Sequence, residues 1–404
     1  MRSYFYKTLL LACVAAVNAD AISLYDTAPV VGLPLSYAVK YNVYANIGYD
    51  TNMNVTSSGV RKGSESASAY VNFGFGGSYA DFESIDKISY TFNLGATRYL
   101  SAADSQGQEM FSNCGLSASL VHAFTARSTY SGSLRVSYSP EPDYASGISA
   151  AGRQGDTLNW TFSNAYNHSL DARWSWNVNM GYSGNRYSES AYQGDNRQYI
   201  NAGCGLSYRA SELLSYNTNF TYRHELRETG YDSDSYTFSV GFSRSLDPVS
   251  SCSCSIGLQT KSVAQKVILT PTLNLGYNRK VAEGLSVNSY VALSNENVDT
   301  YRGPNANYLS DVTCRVGVNC SYTLSPDVSF SFGLSAMCAQ YTEGSGRLED
   351  ETNVTVNPTL GMSYRFTESL VGNIRYQYTW FETNRVGSDG YTRHNISTGL
   401  TYNF

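Results

Sequence analysis

Histidine is the side chain most often used for acid–base catalysis near neutral pH. The chain has four of them, His122, His168, His224 and His394, and only His224 has an adjacent acid, Glu225 in the segment TYRHELRE. A hydrolytic site would also need a serine nucleophile or an activated water held beside such a pair, and no recognisable spacing supplies one. The sequence therefore predicts no enzyme, no catalytic or metal-binding residue and no cofactor.

A second set of candidate functional side chains is cationic and lies in segments where apolar and polar residues alternate. In each segment these cations share the polar row, which faces away from the apolar row. The set is Lys40, Lys87, Arg135, Arg173, Arg197, Arg209, Arg223, Lys261, Arg315, Arg365, Arg375 and Arg393. Asp311 is the one clear acid expected on that row, and most other acids lie in connectors. Such a row would attract anions, unless the cations pair with connector acids folded against them.

The alternation that positions these cations has a period of two residues. From 37 to 49 every odd position is apolar or aromatic, while polar residues such as Lys40, Asn42 and Asn46 lie between them. Eighteen such segments can be counted, although merging or splitting one weak hairpin would give sixteen or twenty. The connectors at 209–214, 325–328 and 366–369 are tight, and the intervening ones tend to be longer. We therefore predict an all-β, antiparallel, up-and-down transmembrane β-barrel of about eighteen strands.

Composition favours this fold over others. Charged residues make up 15% of the chain, there are 35 tyrosines and 34 glycines, and the mean hydropathy is -0.31. No window approaches the roughly 18 apolar residues that a spanning helix needs, which excludes a helical membrane protein. A soluble β-sandwich is the alternative, because its strands also alternate. The number of strands without a dividing linker favours the barrel.

The first residues, MRSYFYKTLLLACVAAVNADA, have the plan of a cleaved signal peptide. Arg2 and Lys7 precede an apolar run, and the small residues Ala19 and Ala21 follow it. Lipidation at Cys13 is the alternative interpretation. The predicted organisation is a signal peptide at 1–21, a periplasmic lead at 22–35 and a transmembrane barrel over 36–404.

Seven cysteines remain beyond the predicted signal peptide, and an odd number in an oxidising compartment first suggests disulfides plus a spare thiol. Each of the seven, however, falls on the apolar row of its own segment. Thiols on an apolar surface behave as small hydrophobic groups. We therefore expect the following to face lipid as free thiols: Cys114, Cys204, Cys252, Cys254, Cys314, Cys320 and Cys338.

The chain ends in GLTYNF, with Leu400, Tyr402 and Phe404 on the apolar row. Together with GYDTNMN after the opening strand and VSYSPEPDY at 136–144, this ending resembles the beta-barrel porin 2 family of Gram-negative outer-membrane proteins. The resemblance covers nearly the whole mature chain. It implies a porin-like role, sometimes associated with exopolysaccharide export. The terminal residues also resemble the signal read by the barrel-assembly machinery, which implies that Leu400, Tyr402 and Phe404 engage that partner during insertion.

These features predict a channel in the bacterial outer membrane. It would pass or export small polar solutes, anionic or saccharide, through a basic lumen surrounded by lipid-facing strands. Eighteen strands enclose more room than side chains fill, and no connector is long enough to be an obvious plug or deep constriction loop. A structural or adhesive barrel whose extracellular loops bind a partner is the alternative. No nucleic-acid partner is indicated, and the oligomeric state is left open.

Overall fold

A computed structural model of the chain describes residues 39–51, 67–81, 86–100, 110–139, 157–188, 196–296, 308–342, 349–384 and 390–404. The predicted signal peptide at 1–21, the predicted lead at 22–35 and the first three residues of the predicted barrel, 36–38, lie outside the described residues. Within the described ranges, no helix is long and apolar enough to cross a membrane.

The described residues form eighteen strands. The first nine are β1 (Lys40–Asp50), β2 (Ser68–Asp81), β3 (Asp86–Tyr99), β4 (Met110–Thr125), β5 (Ser128–Ser139), β6 (Thr157–Ser169), β7 (Trp174–Tyr187), β8 (Arg197–Arg209) and β9 (Leu214–Arg227). The others are β10 (Ser233–Asp247), β11 (Ser250–Val263), β12 (Lys266–Ala282), β13 (Leu285–Asn295), β14 (Ser310–Ser325), β15 (Val328–Thr342), β16 (Glu351–Arg365), β17 (Leu370–Thr383) and β18 (Tyr391–Asn403).

The eighteen strands make one closed antiparallel barrel. Each strand pairs with the next along the chain, and the first and last strands pair with each other from Asn42 opposite Asn403 to Asp50 opposite Asn395. Closure removes the free edges that an open sheet would expose. The prediction of an up-and-down barrel of eighteen strands is confirmed.

The two faces of the barrel differ as the alternation predicts. On the outer face large apolar side chains are exposed, for example Ile47 at 60%, Leu400 at 50% and Phe404 at 61%. In a soluble sandwich the apolar row would instead be buried between two sheets, so the single closed sheet excludes that alternative. Exposed apolar area that continues around the whole wall is typical of a barrel surrounded by hydrocarbon.

The connectors define two ends of the barrel. At one, here called the short-turn end, the described connectors have two to four residues, and the tight connectors predicted at 209–214, 325–328 and 366–369 are confirmed. In the turn after β6, the Asp171 carboxylate accepts hydrogen bonds from the backbone N–H groups of Arg173 and Trp174, both at 2.7 Å. These bonds lower the pKa of Asp171.

The opposite end, here called the long-loop end, has mostly longer connectors, but the β11–β12 connection departs from that expectation. It is a two-residue turn in which Ala264 and Gln265 have positive φ values of 49° and 64°. Two consecutive left-handed residues form the type I′ turn, whose twist matches that of an antiparallel hairpin. The usual Asn-Gly signal is absent, so the sequence did not indicate this turn.

Candidate functional site

The inner face of the barrel carries the chemistry that the sequence singled out. Eleven of the twelve candidate cations lie in strands, and Arg173 lies in the turn between β6 and β7. The register places these strand residues among small polar neighbours. Arg135, for example, lies between Ser117 on β4 and Thr161 on β6. All eleven share the polar row that faces inward.

The twelve cations divide according to height and exposure. Seven are exposed and lie at the short-turn end or in the middle of the wall: Lys40, Lys87, Arg135, Arg173, Arg209, Arg365 and Arg375. Five lie toward the long-loop end and are buried or half-buried: Arg197, Arg223, Lys261, Arg315 and Arg393. The prediction grouped all twelve together, whereas the structure gives them two different environments.

The exposure of other inward side chains also decreases from the short-turn end to the long-loop end. On β15, Ser329 and Ser331 near the short turn are exposed, whereas Ala339 and Tyr341 near the other end are 1% and 0% exposed. A recess of about 710 Å³ lies at the short-turn end, lined by inward residues that include Asn278, Asn288 and Ser321. The described inner wall is therefore more exposed toward the short turns and more buried toward the long loops.

Part of this burial comes from the connector between β13 and β14. Its last two residues, Tyr308 and Leu309, are buried, and the Tyr308 ring lies 5.5 Å from that of Tyr341 on the inner wall. Lys261 Nζ donates a hydrogen bond of 2.7 Å to the Leu309 carbonyl oxygen. Tyr308 and Leu309 therefore pack against the inner wall, whereas residues 297–307 of the same connector, on which the expectation of no obvious plug or deep constriction loop also bears, lie outside the described residues.

The other described end of that connector is tied to the wall as well. Arg315 Nε donates a hydrogen bond of 3.0 Å to Glu296 Oε1, and a second guanidinium nitrogen pairs with Glu296 Oε2. Thus, for Arg315, the alternative in which a wall cation pairs with a connector acid is correct. Its charge is largely neutralised in place.

Acids within strands neutralise further cations. Asp50 at the end of β1 pairs with Arg393, and Glu225 on β9 accepts a hydrogen bond of 2.9 Å from Arg227 Nε. Glu351 on β16 is also buried on the inner wall. The expectation that Asp311 is the one clear acid on the polar row is therefore wrong. In each strand these three acids alternate with outward residues, so the period of two residues could have identified them as inward-facing.

Several inward tyrosines lie flat along the wall because the facing residue is glycine. A Cβ atom placed on Gly48 would overlap the ring of Tyr70, and one placed on Gly317 would overlap the ring of Tyr290. Glycine on the neighbouring strand therefore lets a large ring occupy wall area without projecting across the lumen.

The four histidines do not face the inner wall. His122 pairs with Asp86, and His224 Nδ1 lies 2.9 Å from Asp234 Oδ1, both on the outer face. Because neighbouring residues of a strand point to opposite faces, His224 and Glu225 are separated by the wall of β9. The adjacent acid that drew attention in the sequence is thus unable to act with this histidine.

A closed barrel with an apolar exterior and a polar interior defines the class of outer-membrane β-barrels. Within that class, the chain is similar in structure to the outer-membrane protein OpdK of Pseudomonas aeruginosa, with a TM-score of 0.48, 11% identity, and coverage of 91% of this chain and 99% of that one. It is also similar to OccAB4 of Acinetobacter baumannii, with a TM-score of 0.46, 11% identity, and coverage of 92% and 99%. A third similar structure is the siderophore receptor PirA of Pseudomonas aeruginosa, with a TM-score of 0.41, 10% identity, and coverage of 90% and 80%.

No protein-family model matches the sequence, and no curated protein matches it.

Proposed function

We propose that the protein is a porin-like channel of the bacterial outer membrane, through which small polar solutes, anionic or saccharide, pass by diffusion or export. The observation that carries this proposal is the contrast between the two faces of one closed sheet. The outer face exposes large apolar side chains, whereas the inner face exposes arginine, lysine, serine and asparagine. A barrel of this size encloses space that side chains alone do not fill.

The preference for anions is proposed from the exposed cations. Among the described residues, none of the seven exposed cations has a carboxylate within ion-pair distance. Fixed charge in a confined water column raises the local concentration of the opposite ion. Arg135 and Arg375 support this step most directly, because they lie in the middle of the wall, away from the turns.

Solutes would meet the narrowest part of the lumen at the long-loop end. There Tyr308 and Leu309 pack against the inner wall, and two of the five cations, Arg315 and Arg393, are paired with carboxylates. Size selection would therefore act near this end, while the exposed cations nearer the short turns would act on charge.

The topology also supports proposals on placement and assembly. Short turns of outer-membrane barrels face the periplasm, and the long loops face outward. The signal peptide at 1–21 would direct export, and the terminal row Leu400, Tyr402 and Phe404 would be read by the assembly machinery. Membership of the beta-barrel porin 2 family is part of the same proposal, supported by the sequence resemblance.

Conductance of the purified full-length protein in a planar lipid bilayer tests the channel. We expect steady current steps in potassium chloride, and in a salt gradient a reversal potential on the anion-selective side. A protein that inserts without passing current would contradict the proposal and favour the adhesive or structural alternative. Selectivity for cations would contradict the basic-lumen part alone.

A further inference from the structure

We propose that Arg223, whose guanidinium lies over the ring of Tyr199, is a binding residue for oxyanions, the carboxylate or phosphate groups of solutes that enter the lumen. The inference deepens the proposed function and rests on it, because it names the chemistry that one place on the inner wall would recognise. Arg223 on β9 lies between Asn201 on β8 and Ser235 on β10, and its side chain is inward and half-buried.

The contact with Tyr199 fixes the orientation of this guanidinium. The Arg223 guanidinium carbon lies 3.8 Å from the centroid of the Tyr199 ring, which is a close cation–π contact. Stacking occupies one face of the planar group and leaves its N–H edge available. Within the described part of the chain, that edge has no carboxylate at ion-pair distance.

The acids near Arg223 are already engaged by other groups. Glu225 accepts hydrogen bonds from Arg227 at 2.9 Å and from Ser233 at 3.3 Å. Asp311 accepts one from the Thr313 hydroxyl at 2.9 Å. Because these two carboxylates already accept hydrogen bonds from other groups, neither serves as the ion-pair partner of the Arg223 guanidinium.

The surroundings of the stacked pair carry further charged groups. Arg197, Arg227 and Glu225 lie within electrostatic range of Tyr199, as Arg223 does. Arg223, Arg227, Glu225 and Asp311 lie within electrostatic range of Lys261. Arg223 thus shares this part of the wall with three other cations.

The geometry selects a chemical class of ligand. A guanidinium edge presents two parallel N–H donors that match the two oxygens of a carboxylate or phosphate, and such bidentate pairs are both stronger and more directional than contact with a spherical anion. A flexible exposed arginine without an aromatic support has the same charge but no fixed direction. Arg135, which is exposed between small polar neighbours, provides that comparison within the same chain.

Chemical modification of arginine tests the site without relying on ion conduction. Phenylglyoxal reacts with accessible guanidinium groups, and peptide mass spectrometry reports the rate at each arginine of the folded full-length protein in detergent. We expect sodium acetate and sodium phosphate to slow modification of Arg223 several-fold relative to sodium chloride of equal ionic strength, with little effect at Arg135. The two salts separate a carboxylate preference from a phosphate preference.

Variants at position 199 make the test specific to the stacked pair. We expect Tyr199→Phe, which keeps the ring, to retain the protection of Arg223, and Tyr199→Leu to lose it while Arg223 remains reactive. Protection of Arg135 equal to that of Arg223, or no protection of either, would overturn the proposal. Protection at Arg223 in a protein that passes no current would reject the channel while supporting the site, so the two failures are distinguishable.

Discussion

Arg393 on the last strand donates hydrogen bonds from Nε to both carboxylate oxygens of Asp50 on the first strand, each at 3.0 Å. The two residues are 343 positions apart in sequence, and both are almost fully buried on the inner side of the seam that closes the barrel. Asn395 Nδ2 adds a hydrogen bond of 3.2 Å to the same carboxylate. This arrangement joins the two ends of the sheet through side chains as well as through the strand ladder.

Asp50→Asn should destabilise the barrel, because it leaves the Arg393 charge buried without its carboxylate. Removing one partner of a buried ion pair costs about 3 kcal/mol or more. The free energy of unfolding in urea, measured in lipid vesicles, checks this. Glu296→Gln is the matched control, since its partner Arg315 is more exposed and the expected loss is smaller. Equal losses for the two variants would contradict a special role for the seam pair.

Lys261→Met should widen the narrow end of the lumen. The substitution removes the 2.7 Å hydrogen bond from Lys261 to the Leu309 carbonyl, which helps to hold the β13–β14 connector against the wall. We expect a larger single-channel conductance in a planar bilayer. Lys87→Met, at the exposed short-turn end, should leave the conductance nearly unchanged. A conductance that falls or stays constant in Lys261→Met would argue against the connector as the narrow point.

The exposed and the paired cations should differ in their effect on ion selectivity. Replacing Arg135 and Arg375 together by serine removes two inward charges that have no carboxylate partner among the described residues, so the reversal potential in a salt gradient should shift toward zero. Replacing both partners of each ion pair, Arg315 with Glu296 and Arg393 with Asp50, by neutral residues should shift it less, because each pair has no net charge to lose. A larger shift from neutralising the ion pairs than from replacing Arg135 and Arg375 would contradict the assignment of selectivity to the exposed cations.

Cys314 and Cys338 lie directly opposite each other on β14 and β15, yet both should remain thiols. Thr323 N–H donates a backbone hydrogen bond to Gly284 O, and Arg365 N–H donates one to Asp327 O. Because hydrogen-bonded and non-hydrogen-bonded pairs alternate along antiparallel strands, these two bonds show that Cys314 and Cys338 form a hydrogen-bonded pair. Side chains of such pairs lie farther apart than those of non-hydrogen-bonded pairs, beyond the usual Cβ separation of a disulfide. Alkylation of the denatured protein without reductant should therefore label both cysteines, and a mass two hydrogens lower with neither labelled would contradict this.

The sequence predicted most of what depends on local alternation. A period of two residues located the strands, gave their number and assigned the cations and thiols to opposite rows, because each side chain's face follows from its parity in the strand. The same rule would have placed Asp50 and Glu225 on the inner row, but both lie at strand ends next to connectors.

Contacts that depend on closure of the barrel or on the path of a connector could not be predicted from local alternation. Arg393 meets Asp50 only because the last strand returns to the first, and Lys261 meets Leu309 only because a connector turns inward. Neither requirement leaves a local pattern in the sequence. The stacked pair of Arg223 and Tyr199 joins neighbouring strands diagonally, so it depends on the register between β8 and β9.

The central claim is that the apolar row contacts hydrocarbon and the polar row contacts water. A nitroxide spin label attached to Cys204 on the outer face, with the other cysteines replaced by serine, tests it after refolding into lipid vesicles. Ser133→Cys, on the inner face between Ser119 and Ser163, provides the matched site in a second variant in which Cys204 is also replaced by serine. We predict that the label at Cys204 collides with oxygen, which concentrates in lipid, far more than with a water-soluble nickel chelate, and that the label at position 133 shows the reverse. Greater access of the nickel chelate to Cys204 than to position 133 would contradict the account.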